Sequence, residues 1–341
     1  MLILGIETSC DETAVAVLED GGGVLGGGAV LRSNLIARQT DLHARFGGVV
    51  PEVAARAHVE ALNPLLERAL EEAGCDFGDL GGVAVTVGPG LVGALLVGMA
   101  AAKAVALATG APLIGVNHLE GHIWANFLEH GPPRPPYVCL VVSGGHTLLV
   151  HMPELHRHEV LGRTLDDAAG EAFDKIARFL GLGFPGGPAL DRLAREGDPE
   201  AIRFPRAMED SGDYDFSMSG LKTAVLRYVR AEREAGREVD PADLAASFQE
   251  AIVDVQVKKT IAAARDRGVD TVLLGGGVVA NSRLRERMLA EGERAGLRVL
   301  YPSVELCTDN AAMIACVGAS RLARGERTPL DVGADPNLRL T

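Results

Sequence analysis

Two imidazoles four residues apart, His118 and His122 in VNHLEGH at 116–122, are the residues of this sequence best suited to chemistry. On a helix that spacing is one turn and one face, so both rings can reach a single ion. Two histidines alone hold a catalytic metal poorly, and a third ligand must come from elsewhere in the chain. The best candidate is Asp309, in the polar knot of CTDNAAMIA at 307–315. In the HExxH zinc peptidases a glutamate beside the first histidine is the general base. Here the acid is Glu120, two places after His118 and about 200° round a helix, so it faces away from the imidazoles. A peptidase mechanism is therefore disfavoured, and the ion suits the orienting or polarising of a substrate oxygen.

A second chemistry is carried by glycine. In TVLLGGGVVANSRLRERM at 271–288 an apolar strand ends in Gly275, Gly276 and Gly277, and Asn281 then caps a helix. Bare backbone and a helix N-terminus converge there, which suits a nucleotide. The turns SCDET at 9–13 and SGGHT at 143–147 are rich in hydroxyls and backbone amides that can hydrogen-bond a phosphate or carboxylate. A glycine run alone is more often a tight connection. Together these segments predict a nucleotide cleft between two lobes.

The elements that must position these residues alternate regularly. LILGIET, SCDET, AVAVL at 2–18 reads as strand, polar turn, strand, and YVCLVV, SGGHT, LLVHM at 137–152 repeats the plan. Strands at 83–87, 112–116, 271–275 and 298–302 alternate with helices at 52–73 (kinked or broken at Pro64), 91–109, 166–180, 219–235, 241–267 and 281–295, and a last helix begins near 309. This pattern predicts an α/β protein with a duplicated, two-lobed fold, one lobe at 1–130 and the other at 137–341, joined by the proline-rich linker GPPRPP at 131–136. Apolar residues at 47% with aromatics at only 4% fit large cores built from Ala, Val, Leu and Gly. The apolar stretch Leu91–Thr109 contains Lys103 and is rich in Gly and Ala, so it reads as a buried helix rather than a membrane span. The five cysteines form no CxxC pair and no basic leader precedes the first strand, which predicts a reducing, cytoplasmic compartment. The net charge of −13 gives no basic field for gripping nucleic acid, so such a ligand would need a local patch or a basic partner.

The motifs GIETSCDET at 5–13, GGVVPEVAAR at 47–56, GPGLVGALLVG at 88–98, NHLEGH at 117–122, LVVSGGHT at 140–147, DDAAGEAFDK at 166–175, FPGGPALD at 184–191, FSMSGLKT at 216–223, GGGVVANSRLR at 275–285 and CTDNAAMIA at 307–315 run in one order from end to end. In this the chain resembles the superfamily of actin, heat-shock chaperone ATPases and sugar kinases. Within it the chain is similar to the TsaD family of tRNA threonylcarbamoyl transferases, formerly labelled glycoproteases. The resemblance implies an actin-like fold and transfer of a threonylcarbamoyl group from threonylcarbamoyl-AMP to the exocyclic amine of the adenosine 3′ of the anticodon in tRNAs reading ANN codons.

The resemblance also implies a site, residue by residue. His118, His122 and Asp309 match the family's ligands for one divalent metal, Fe2+ or Zn2+. Phosphate and threonylcarbamoyl-adenylate contacts map to Val141, Val142, Ser143, Gly144 and Gly145, with His146 adjoining, and an ATP- or ADP-type nucleotide in the cleft would meet Asp174, Gly187, Asp191 and Asn281. Ser9 and Glu12 fall where the superfamily's opposite phosphate loop lies. No side chain stands out as nucleophile or general base. Each reading has a plainer alternative: Asp174 paired with Arg178, Asp191 bonded to its own turn, Gly186 and Gly187 as turn glycines. His43, His58, His151, His156 and His158 read as surface histidines. A phosphotransferase of the same fold would want an acidic base in place of histidine ligands, and a silent scaffold would need no metal triad. The implied partners are tRNA, a paralogous TsaB-like subunit, a small TsaE-like ATPase and an upstream threonylcarbamoyl-AMP synthase, with no membrane. Arg32, Arg38, Arg45 and Arg56 are the expected local basic patch.

Overall fold

A computed structural model describes residues 1–21 and 28–341. The glycine turns at 21–23 and 26–28, expected to form a surface hairpin, fall mostly outside the described residues.

The first unit opens with β1 (Leu2–Glu7), β2 (Glu12–Asp20) and β3 (Ala29–Arg38), an antiparallel meander. It continues through α1 (Thr40–Ala44), α2 (Pro51–Ala73), β4 (Leu80–Gly88), α3 (Val92–Thr109), β5 (Leu113–Asn117) and α4 (His118–His130). The sheet order is β3-β2-β1-β4-β5, with β4 parallel to β1 and β5 parallel to β4. Strands β1 and β4 are near-continuous apolar runs because helices cover both faces of the sheet at its centre.

The second unit contains β6 (Tyr137–Val142), β7 (Thr147–Glu154), β8 (Arg157–Arg163), α5 (Ala169–Phe179), α6 (Gly186–Ala194), α7 (Ser219–Glu234), α8 (Pro241–Asp266), β9 (Thr271–Gly275), α9 (Ser282–Ala295), β10 (Arg298–Leu300) and α10 (Val304–Cys307). Its sheet order, β10-β9-β6-β7-β8, repeats the first: a two-step antiparallel meander on one side and two parallel strands on the other. The echo in the sequence is thus a duplication of topology.

The last helix, α11 (Ala311–Ala323), returns to the first sheet. The compact units are Met1–Pro133 with Thr308–Leu340, and Arg134–Cys307. The break at Pro133 falls inside the expected linker, but the second unit ends at Cys307 instead of running on to 341. The reason is close packing. A Cβ at Gly5 of β1 would lie 2.3 Å from the carbonyl of Ala311, and one at Gly121 of α4 would lie 2.9 Å from Ile314 Cδ1. At Gly5 the obstacle is backbone, so only glycine admits this apolar, almost wholly buried helix so near β1, whereas at Gly121 the obstacle is the tip of the Ile314 side chain and glycine merely eases the approach to α4.

Three further details differ from expectation. Helix α2 runs unbroken through Pro64, because Leu62, Leu66 and Ala69 bury one continuous face on either side of it. Strands β3 and β8 and helix α6 carry polar residues or turn-like glycines that mask their patterns. Helix α3 is long and apolar enough to cross a membrane by length and composition, yet it packs along one face through Ala94, Leu95, Met99 and Ala102, leaving Val92, Leu96 and Leu107 exposed. The expected burial is one-sided.

Candidate active site

In the first unit three elements bring ligand-type atoms together. Asn117 ends β5 and its side chain accepts from Leu119 N–H, so α4 starts at His118 and carries His118 and His122 on one face. Asn310 caps α11 by accepting from Met313 N–H, which fixes Asp309 immediately before the helix. Asp309 Oδ1 then lies 3.6 Å from His118 Nε2 and 3.3 Å from His122 Nε2. The three ligand atoms lie within 4.8 Å of one another. Ligands ~2.0–2.2 Å from a tetrahedral ion sit about 3.4 Å apart, so the two measured edges fit one. His122 strengthens the fit: both ring nitrogens are buried without a hydrogen bond, and an ion shared with Asp309 would give Nε2 a partner.

The surrounding charges are held in a buried cluster. Burial pulls the His118 imidazole down, but the carboxylates of Asp309 and Glu7 override it and push the group up to about 9. Burial also lowers His122, only partly offset by Asp309. Burial would raise Glu7, yet His118 holds it below its usual value. Glu12 is pushed well up by burial and by Asp309 and Asp11. Glu120, expected to face away from the histidines, bonds at 2.5 Å to Arg321 of α11. It holds two helices together and has no route to act as a peptidase base.

In the second unit the chemistry is mainly main-chain. The turn after β6 closes through Ser143 N–H donating to the His146 carbonyl at 2.8 Å. Gly144 and Gly145 are exposed, and a Cβ at either would meet nothing within 4 Å. Helix α5 abuts this turn: a Cβ at Gly170 would lie 2.7 Å from the Ser143 carbonyl. Val141 and Val142 are fully buried and paired within the sheet, so they support the turn from beneath. Asp174 Oδ1 accepts from Gly186 and Gly187 N–H at 2.8 and 3.2 Å, capping α6. Asp191 bonds Ser282 and Arg195 rather than its own turn. Asn281 caps α9 through Leu284 N–H and donates to Gln249 at 2.6 Å. A polar recess of about 260 Å3, lined by Arg195, Gln249, Ser282 and Arg283 among others, adjoins Asp191 and Asn281 through these bonds. Gly276 has φ +96° and a Cβ there would lie 2.4 Å from the Val142 carbonyl, so it serves the fold before any ligand.

Other expected residues fall out differently. Ser9 lies beside the histidines, its hydroxyl 3.2 Å from His118 Nδ1, and Glu12 begins β2. His43 and His58 are fully buried, a correction to their reading as surface groups. His58 Nε2 donates to the Cys10 carbonyl at 3.0 Å and Nδ1 lies 2.7 Å from Thr13 Oγ1, while Gln39 bridges it to His43. His151 is buried against Glu159 at 3.1 Å, and His156 and His158 are half-buried. Arg32, Arg38, Arg45 and Arg56 are all exposed, but Arg32 pairs with Glu19 and Arg56 with Glu52. Sequence reasoning missed Glu7 and Thr86, whose signals were an acid ending one apolar strand and a hydroxyl within another.

A family model described as TsaD, tRNA N6-adenosine threonylcarbamoyltransferase, matches residues 30–316. The chain belongs to the TsaD family. Enzymes of the family from Clostridium perfringens and Clostridium botulinum, both named tRNA N6-adenosine threonylcarbamoyltransferase, are 52% and 53% identical to it over 339 and 338 residues. The alignments cover 99% of this chain and 98% and 97% of theirs. The TsaD match spans His118, His122, Asp309, the 143–145 turn and Asn281, while Glu7 precedes it. Among solved structures, full-length HypF in its phosphate- and nucleotide-bound form aligns with 95% of this chain and 46% of its own, with a TM-score of 0.60 at 15% identity. Component A of the Acidaminococcus fermentans (R)-2-hydroxyglutaryl-CoA dehydratase aligns over 95% of this chain and 99% of its own, with a TM-score of 0.55 at 16% identity. At such identities the likeness is one of fold.

Proposed function

We propose that this member of the TsaD family transfers a threonylcarbamoyl group from threonylcarbamoyl-AMP to the exocyclic amine of the adenosine 3′ of the anticodon in tRNAs reading ANN codons. The observation that carries the reading is end-to-end identity of 52–53% with tRNA N6-adenosine threonylcarbamoyltransferases. The amine nitrogen bonds to the carbamoyl carbon, the bond from that carbon to the phosphate oxygen breaks, AMP leaves with the electron pair, and the amine releases a proton. Because the leaving group is already good, the protein chiefly has to align the reactants and stabilise charge on the carbamoyl oxygen. Gly144 and Gly145 present bare main chain to the phosphate, and Val141, Val142 and Ser143 shape that turn from beneath. Asp174, Gly187, Asp191 and Asn281 hold the nucleoside. His118, His122 and Asp309 hold one divalent ion, and two imidazoles with a carboxylate suit Fe2+ or Zn2+. When bound, the ion supplies Lewis-acid polarisation of a substrate oxygen.

Charge and an exposed apolar face both support a requirement for partners. A net charge of −13 repels tRNA, which calls for help at the nucleic acid. The resemblance to the TsaD family is what implies that the help comes from a TsaB-like paralogous subunit and a TsaE-like ATPase, with a separate synthase supplying the labile adenylate in the cytoplasm. Val92, Leu96 and Leu107, exposed along α3, support a protein partner. The test gives the chain synthetic threonylcarbamoyl-AMP and unmodified tRNA, with and without those proteins, and measures modified nucleoside by mass spectrometry. Multiple turnover is expected in the complete mixture and poor turnover by the chain alone. Absence of product from the complete mixture would overturn the assignment, and robust turnover alone would remove the partner requirement.

A further inference from the structure

We propose that Glu7 is the positioning residue of the metal centre, fixing the His118 ring so that Nε2 faces Asp309. The proposal rests on reading His118, His122 and Asp309 as ligands. Glu7 closes β1 and is completely buried. Its Oε1 accepts from Ser9 N–H at 2.5 Å, and its Oε2 accepts from the Thr86 hydroxyl of β4 at 2.5 Å. The same Oε2 lies 3.1 Å from His118 Nδ1. Two donors from separate elements therefore lock the carboxylate before it meets the imidazole. An ionised carboxylate can only accept, so Nδ1 is the donor to Glu7 and Nε2 is the nitrogen left toward Asp309, 3.6 Å away, where an ion would take the place of its proton.

His122 provides the contrast within one helix. Its Nδ1 has no hydrogen-bond partner and its Nε2 has only the 3.3 Å approach of Asp309, so no second carboxylate orients the ring, which lies at 78° to that of His118. His118, at the first position of α4, retains a side-chain exposure of 7% and stands at the open end of the pair. Without Glu7 its ring could turn and exchange Nδ1 for Nε2 as the donor facing Asp309. A buried carboxylate is also expensive unless something fixed and complementary meets it. Ser9, Thr86 and His118 are that complement, which explains an acid at the end of a strand that is otherwise LILGI.

The test is titration of the metal-free full chain with cobalt(II) at one fixed pH, reading both affinity and the visible absorption bands that report ligand geometry. Wild type, Glu7→Gln, Glu7→Leu and His118→Ala are compared, with thermal unfolding of each metal-free protein as the check on folding. Removal of an outer partner of this kind lowers metal affinity ~10–100-fold, so Glu7→Leu should fall in that range. Glu7→Gln keeps an acceptor and should recover part of the affinity while shifting the bands, which a merely structural role would not do. If Glu7→Leu does not fold, Glu7→Gln decides. Wild-type affinity and bands in Glu7→Gln, in the same series where His118→Ala has lost cobalt, would overturn the positioning role. Equal cobalt uptake by wild type and His118→Ala would overturn the triad reading beneath it.

Discussion

The turn after β1 and the turn after β6 occupy equivalent places in two sheets of the same topology, yet they are built in opposite ways. Where β1 ends in the buried carboxylate of Glu7, β6 ends in Val142, and where the first turn packs against His118, the second consists of Ser143 and two exposed glycines. A duplicated scaffold has thus been specialised twice. One copy gathers side chains from β1, β4, α4 and the approach to α11 into a buried charged cluster. The other leaves the turn bare of bulky side chains, with Gly144 and Gly145 open to solvent, as the proposed phosphate contact requires. The lesson is that equivalent positions in a duplicated fold can hold unlike chemistry, provided each copy solves its own burial problem.

The largest expected effect breaks the first region. His118→Ala and Asp309→Ala should each lower metal affinity by more than the ~100-fold upper limit for outer-partner changes, because each removes a ligand. Metal analysis of purified variants checks this, and full occupancy in either would dissolve the triad. Next comes the second region, where Gly144→Val should weaken adenylate binding by ~10-fold or more through lost charge-assisted hydrogen bonds, with no change in thermal stability, because its Cβ meets open space. Gly276→Val sharpens the contrast: its positive φ and its overlap with Val142 predict a loss of stability of at least ~1–2 kcal/mol, so any binding defect there reports folding as well.

A pH series separates the regions further. In metal-free protein, the His118 imidazole is held up at about 9, above its usual 6.5, so its pairing with Asp309 and Glu7 contributes fully below 6.5 and is lost as pH rises through 9. Denaturant midpoints should decline across that window, corresponding to at most a few kcal/mol, since each tenfold change in proton affinity is worth ~1.4 kcal/mol. His118→Gln should flatten the decline. The smallest effect is expected from the arginine patch. Charge reversal at Arg38 and Arg45 should weaken tRNA binding more than reversal at Arg32 and Arg56, which already pair with Glu19 and Glu52. Unchanged tRNA affinity after reversing all four would place the patch elsewhere.

The sequence made the two regions unequally legible. HxxxH on a helix and SGG between two strands are local patterns, and they survive in the structure at His118, His122 and Ser143–Gly145. The duplication was readable because strand, turn and strand recur at both lobe beginnings. The return of α11 to the first unit was not, because the close approaches at Gly5 and Gly121 that dictate it carry no signal until two distant segments are brought together. Glu7 was hidden for the same reason, since its partners Thr86 and His118 lie 79 and 111 residues away. His43 and His58 looked like surface residues because burial of an imidazole depends on partners such as Thr13 and Gln39, which periodicity does not reveal.

The central claim is that side chains scattered along the first unit meet at one ion. Anomalous diffraction at the metal edge, from crystals of the full chain whose metal content has been measured in solution, tests it directly. The account predicts a single peak ~2.0–2.2 Å from His118 Nε2, His122 Nε2 and an Asp309 carboxylate oxygen. A metal peak at other residues, with these three atoms bare, would contradict it.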